Sequence, residues 1–255
     1  MKEYLKKILL FKILVISHKT LKSKPNFFIK LKNLGLFFSD LSRYNKLQKN
    51  NRLICDTKDL FPRINDKTSL TQLDPVYFYQ GVWCAKKIFE SKPKHHFDIA
   101  SQAIMVGIIS QFTPTTMVDI RPLTVKLNNL NFLTGDILNL PFPDNSVESL
   151  SSICVIEHIG LGRYGDHLDQ FGTEKAASEL SRVLATNGNL YISVPIDKEN
   201  KTYFNAHRTF TRDYVIELFN NLELIEEKYI YGNELTEKYE EARGFGTGLY
   251  HFKKR

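Results

Sequence analysis

Two blocks of this chain restrict what it can fold into more than any other feature. In the first, the Pro-bracketed acidic turn Leu140-Pro141-Phe142-Pro143-Asp144-Asn145 feeds a short apolar run that ends in Glu157-His158. The second, Glu179 to Pro195, reads as a helix, a tight turn and a buried strand. Strands separated by a helix imply a parallel sheet, whose sites collect at the carboxyl ends of the strands. Glu157-His158 then stands where a strand opens onto a site.

Further elements arrange themselves around these blocks. Tyr77 to Glu90 carries Tyr77, Val82, Trp83, Ile88 and Phe89 at helix-like spacing, and Pro93 stops it. His96–Ala100 reads as a first strand, Ala103–Ile109 as a helix, Thr116–Ile120 as a second strand and Asn131–Thr134 as a short third. Thr211–Asn220 is a helix opened by a Thr cap, with Asp213 in its first turn. Leu222–Tyr231 and Gly248–Phe252 are expected to close the sheet as an antiparallel pair. The expectation is an α/β, Rossmann-like domain over residues 74–255, its sheet mostly parallel with an antiparallel closing strand. A basic helical extension over residues 1–73 precedes it.

Charge separates the two parts. The formal net charge is +7, yet thirteen Lys/Arg against Glu3 and Asp40 leave +11 on residues 1–52 and −4 on the rest. The arm is expected to pack as a helical extension on the main domain. A second reading is a peripheral membrane contact through residues 1–52, each Lys/Arg adding about 1 kcal/mol near an anionic surface. No helix-turn-helix, zinc or aromatic-platform signature accompanies the charge, so nucleic acid is not expected as a partner. The run Ile8–Ile16 is too short to span a bilayer and is split by Lys12, and His18-Lys19-Thr20 offers no small-residue cleavage site. Cys55, Cys84 and Cys154 have no paired spacing, which argues against a disulfide framework or zinc site and suits a reducing cytoplasm.

A sheet of this kind binds a nucleoside through acids at successive strand ends, since a carboxylate can accept both ribose hydroxyls. Asp119 ends the second strand, 21 positions beyond Asp98, the interval expected of a ribose-binding acid. Asp136 ends the third strand and could accept from an adenine amino group, with Ile137 covering the ring. The structural alternative is that either Asp merely caps the next segment.

The two opening blocks resemble the fourth and fifth strands of a class I methyltransferase, the fold that binds S-adenosyl-L-methionine. That resemblance makes Asp119-Ile120 the ribose position, Asp136-Ile137 the adenine position and Asp98-Ile99-Ala100-Ser101 the loop beside the methionine part. The chain departs from the pattern in that loop. Where these enzymes usually carry a Gly-rich turn, Asp98-Ile99-Ala100-Ser101-Gln102-Ala103 has no glycine before Gly107. A left-handed alanine costs about 1–2 kcal/mol, so the dihedrals of Ala100 bear directly on the site.

A narrower resemblance rests on Tyr77–Trp83, His96–Ser101, Asp119-Ile120-Arg121-Pro122-Leu123, Glu157–Asp166 and Phe204–Arg208. This set is similar to the bacterial domain of unknown function 268 family, a methyltransferase-like group often linked to surface-polysaccharide genes. It implies a small-molecule or glycan acceptor and supplies no established reaction.

Within that frame His158 is the candidate general base, with Glu157 beside it; the alternative is a structural His that holds the loop Gly160–Gly165. Three glycines surround Arg163 and Tyr164, leaving Arg163 available to an anionic or sugar-phosphate group. His207-Arg208, just past the fifth strand, reads as a second edge of the acceptor site, with a surface ion pair as the alternative for Arg208. Cys154 reads as core, and no metal-ligand cluster stands out. The sequence leads to a cytoplasmic S-adenosylmethionine-dependent methyltransferase acting in glycan synthesis. The alternative is a non-catalytic relative that has lost its cofactor loop.

Overall fold

The computed structural model describes residues 27–47, 53, 55 and 59–255. Most of the basic arm, including the apolar run 8–16, lies outside the described residues. The chain divides into two compact units, Met1–Gln72 and Leu73–Arg255. In the first, helix α1 (Phe27–Leu47) is tied to the following segment by Asn33 Nδ2, which donates to the Ile64 carbonyl at 2.9 Å. Among the described residues no helix is long and apolar enough to cross a membrane.

The second unit begins with α2 (Pro75–Ser91), capped by the Asp74 carboxylate, which accepts from the backbone of Val76 and Tyr77. Lys92 turns left-handed at its end, and Pro93 follows. Then come β1 (His96–Ile99), α3 (Ala103–Ile109), β2 (Thr115–Asp119), β3 (Leu130–Thr134), β4 (Val147–Ile153), α4 (Gly172–Val183) and β5 (Leu184–Ile196). The hairpin β6 (Lys201–Tyr203) and β7 (His207–Thr209) stands apart from the main sheet. Helix α5 (Arg212–Leu218), β8 (Glu223–Tyr231), β9 (Glu234–Thr236) and β10 (Gly246–Lys253) complete the chain.

The eight-stranded sheet has the order β3-β2-β1-β4-β5-β10-β8-β9. β3 to β5 are parallel and β10 pairs antiparallel with both β5 and β8, the closure expected from the sequence. Alternation along the strands divides the core between two faces, since successive side chains point to opposite sides. Leu190, Ile192 and Tyr250 join α4 and α5, whereas Tyr191, Ile230 and Leu249 join α2 and α3 on the other face.

Two details differ from expectation. The tight turn in the second opening block does not break the strand. β5 runs on through it, with Asn187 left-handed at φ 63° and the register against β4 shifting between Val147 and Ser149. That is an irregular bulge in which β5 advances five residues against two on β4 without ending the pairing. The β6–β7 hairpin and the edge strand β9 are three residues each and lack the apolar alternation that marks a strand in sequence.

The feature that makes a site is at the carboxyl ends of the adjacent strands β1 and β4. Ala100 and Cys154 still donate ladder bonds, to Val118 at 2.8 Å and Ser193 at 2.9 Å, but both then turn left-handed, φ 56° and 53°. The two neighbours therefore leave the sheet abruptly. Arg208, on β7, fits neither role offered for it. It is buried, and its guanidinium donates to the carbonyls of Ile159 (2.6 Å), Asp169 (3.2 Å) and Gln170 (3.4 Å) and to Thr173 Oγ1 (3.2 Å). It thus pins both ends of the glycine loop that follows β4. Replacing it with Met leaves these acceptors unpaired, so Arg208→Met is expected to lower unfolding stability by about 3 kcal/mol in urea titration.

Candidate functional site

A cavity of about 470 Å³ opens at the carboxyl ends of β1, β2 and β4, in the size range of small-ligand sites. Asp119, Ile120, Asp136 and Ile137 all line it, together with Ala100, Cys154, Val155 and His158. The two aspartates on which a nucleoside site depends therefore face one hollow. A second cavity of about 430 Å³ shares Ala100, Asp119, Arg121, Cys154, His158 and Tyr164 with the first and adds Tyr77, Ser101 and Gln102.

Each acid already has an internal partner. Asp136 Oδ1 accepts from the Leu138 backbone at 2.9 Å, the local turn a strand-ending Asp commonly makes. Asp119 Oδ1 accepts from the Arg121 backbone at 2.8 Å, and the Arg121 guanidinium reaches both carboxylate oxygens at 3.3–3.4 Å. Arg121 also lies over the Tyr164 ring, 4.4 Å from its centroid. A carboxylate offers about four lone-pair sites, and the two guanidinium contacts are long, so Asp119 retains capacity for further donors.

Other predicted residues fall elsewhere. Asp98 does not reach either cavity: it is fully buried, accepting from Ser101 N at 3.0 Å and from the Ser151 hydroxyl. Its carboxylate shapes the turn from beneath. Ser101 continues that bracing, its Oγ accepting from Ile153 N at 2.9 Å, so the β1 and β4 ends are tied to each other. Glu157 is also buried and lines neither cavity, and its Oε2 has no hydrogen-bond partner among the described residues. Burial pushes its carboxyl up to about 8. Burial likewise raises Asp98 to about 6.

His158 lines both cavities, and its ring is held by the β6–β7 hairpin rather than by the glycine loop. Its Nδ1 lies 2.7 Å from the Ala206 carbonyl at the tip of the β6–β7 hairpin, which can only accept, so Nδ1 carries the proton and Nε2 the lone pair. Burial holds the ring down to about 4. At neutral pH it is an uncharged imidazole with a fixed tautomer. His207 sits on the hairpin beside Tyr203 (ring centroids 5.1 Å) and Phe245 (6.2 Å), outside both cavities.

The glycine loop is ordered from within. Asp166 accepts from the backbones of Gly160 (2.8 Å), Gly162 (3.2 Å) and Tyr164 (3.2 Å). Burial raises its carboxyl, and these backbone donors more than reverse that, leaving it below the usual range. Gly160 has φ 83°, and a Cβ there would meet the Asp169 carbonyl oxygen at 2.0 Å, so only glycine fits.

Among the lining residues to which the sequence argument gave no site role are Tyr77, Arg121 and Cys154. Arg121 follows Asp119 by two, a spacing that invites a local pair; nothing local marks Cys154, whose half-buried position comes from the left-handed turn. Its thiol bonds Gln80 Oε1 at 3.1 Å and lies 3.2 Å from Ser193 Oγ, and burial keeps it well above the ordinary thiol range.

Strand order and crevice together define the class I S-adenosylmethionine-dependent methyltransferase fold. Solved structures with this fold include NodS, an N-methyltransferase from Bradyrhizobium japonicum WM9 in complex with S-adenosyl-L-homocysteine (TM-score 0.51, 13% identity, covering 71% of this chain and 88% of that one). A putative sarcosine dimethylglycine methyltransferase from Galdieria sulphuraria is similar at TM-score 0.52 and 14% identity, covering 72% and 91%. The [4+2]-cyclase SpnF matches at 0.53 and 12%, covering 69% and 80%. Residues 143–241 match the family described as "Caenorhabditis protein of unknown function, DUF268". No curated protein matches the chain.

Two outcomes follow from this geometry. Ala100→Gly removes a left-handed alanine, and unfolding stability in urea is expected to rise by about 0.5–1 kcal/mol. The second concerns pH. Glu157 binds its proton more tightly when folded, so its contribution is full below the unfolded carboxyl pKa near 4.5 and is lost as pH rises through about 8. The buried histidines His158 and His96 change stability only below about 6.5, with folded values near 4 and 3. The melting temperature should therefore fall between pH 6.5 and 8, and Glu157→Gln should flatten that decline.

Proposed function

We propose that this protein is an S-adenosylmethionine-dependent methyltransferase with a hydroxyl-bearing glycan or small-molecule acceptor. The observation that carries the reading is the shared cavity of Asp119 and Asp136, with Ile120 and Ile137 among its apolar side chains. Those residues fit a nucleoside: Asp119 for the ribose hydroxyls, Asp136 for the adenine amino group, the two isoleucines for the ring faces. Ala100, Ser101 and Gln102 border the second cavity, where the methionine part would lie. Ala100 takes the left-handed dihedral that glycine usually supplies at this turn, so the missing glycine does not close the site.

When bound, the cofactor supplies an electrophilic methyl group on a sulfonium. The chain's contribution is positioning and proton removal. His158 is neutral, its Nδ1 proton is held by Ala206, and its Nε2 lone pair is free to take a hydroxyl proton, a role worth roughly 10²–10⁴ in rate. Glu157 lies 3.7 Å from Nε2 and, held largely protonated by burial, adds no counter-charge. The glycan part of the reading comes from the family resemblance; the fold itself is shared with a cyclase and leaves the reaction open.

Titration calorimetry with S-adenosyl-L-homocysteine tests this. The wild type is expected to bind, Asp119→Ala to lose at least tenfold in affinity, and Asp136→Ala to lose less because it would accept from one adenine amino group where Asp119 would accept from two ribose hydroxyls. Wild-type protein that shows no heat and no thermal shift at millimolar ligand would overturn the assignment.

A further inference from the structure

We propose that Arg163 is the recognition residue for a negatively charged sugar acceptor, its guanidinium binding a phosphate or carboxylate on the sugar. The inference names the substrate class of the methyltransferase proposed above and, for the acceptor role, rests on that reading.

The argument starts from charge. Among the described residues of the second unit, Arg121, Arg182, Arg212, Arg243 and Arg255 all pair with carboxylates. Arg208 is buried on backbone carbonyls. Arg163 is exposed and has no carboxylate partner there. Its contacts are the Ala206 carbonyl at 2.9 Å, the His158 ring at 3.4 Å and the Tyr164 ring at 5.0 Å from its centroid. Arg163 lines neither cavity itself, but the two side chains it touches, His158 and Tyr164, line both, so its guanidinium stands at the rim. The carboxyl beside His158, Glu157, is held largely protonated at neutral pH by burial, so it does not neutralise the guanidinium.

Position comes next. One N–H of Arg163 is committed to the hairpin tip, and the remaining donors form a fork suited to phosphate or carboxylate. The loop bearing it is fixed by Asp166 beneath and by Arg208 at its ends. A cation held this way loses little freedom on binding an anion.

The surroundings add the sugar. Tyr77 and Tyr164 are part-exposed at the mouth, and Phe204 at the hairpin tip is 72% exposed. Tyr203, His207 and Phe245 form a separate group of rings on the same hairpin and the segment before β10. An unpaired guanidinium on the Tyr164 ring, with further exposed rings on the hairpin, suits a ligand ring that has both an apolar face and an anionic substituent.

The test is calorimetry on the full chain at fixed ionic strength with glucose 1-phosphate, glucuronate, inorganic phosphate and glucose, each with and without saturating S-adenosyl-L-homocysteine. Expected are binding of glucose 1-phosphate or glucuronate, weaker binding of inorganic phosphate, and no binding of glucose. Arg163→Gln should weaken the sugar anions at least tenfold and leave S-adenosyl-L-homocysteine affinity within twofold; Arg163→Lys should fall between. Unchanged anion affinity in Arg163→Gln would overturn the proposal. So would glucose binding as tightly as its phosphate, phosphate binding as tightly as glucose 1-phosphate, or displacement of S-adenosyl-L-homocysteine by the anion. Arg163-dependent sugar-anion binding in a protein that never binds S-adenosyl-L-homocysteine would support the anion site while removing the methyltransferase reading.

Discussion

Two adjacent parallel strands that stop on left-handed, non-glycine residues make the rest of this domain possible. β1 and β4 run side by side, and each keeps its last ladder bond before Ala100 and Cys154 swing the chain out of the sheet. A parallel sheet with helices on both faces has no natural opening except at its strand ends, and a gradual exit would fill that space with backbone. The abrupt left-handed exits leave it empty. Each costs about 1–2 kcal/mol, and such conformations persist only where neighbouring structure over-determines them.

That over-determination is visible in the buried polar layer beneath the crevice. Asp98 accepts from Ser101 and Ser151, Ser101 accepts from the end of β4, and His96 bridges Ser149 and Ser151 at 2.8 and 3.0 Å. All five side chains are buried. Every partner is on β1, β4 or the turn, so the network couples the two strand ends that must diverge. Satisfied networks of this kind specify one arrangement because any other leaves a buried donor or acceptor unmade. A second restraint, Asp166 with Arg208, does the same for the loop after β4.

What the sequence discloses follows from whether the signal is local. Apolar alternation over 190–194 and 249–252 predicts strands with two buried faces, and the sheet places them so. Asp119 and Asp136 are read from their places at strand ends, because a strand fixes where its last residue points. Asp98 has a similar place, yet its side chain turns inward because serines on the neighbouring strand offer it donors, and no local pattern reveals a partner 53 positions away. His158 is the intermediate case. Its place beside β4 is legible, but its tautomer is set by the carbonyl of Ala206, contributed by a hairpin too short and polar to be foreseen.

The crevice at the strand ends is fixed by the sheet, which the methyltransferases and the cyclase SpnF have in common with this chain. The glycine loop lines the cavity beyond the sheet, and the β6–β7 tip braces that wall through Ala206. One carbonyl oxygen receives both His158 Nδ1 and Arg163 Nη1, so it sets the protonation state of one group and the position of the other. A neutral imidazole beside a fixed guanidinium is a stable pairing, because the cation disfavours protonation of the ring. An uncharged ring and a charged guanidinium are thus compatible at 3.4 Å, whereas a carboxylate in the same place would neutralise the arginine.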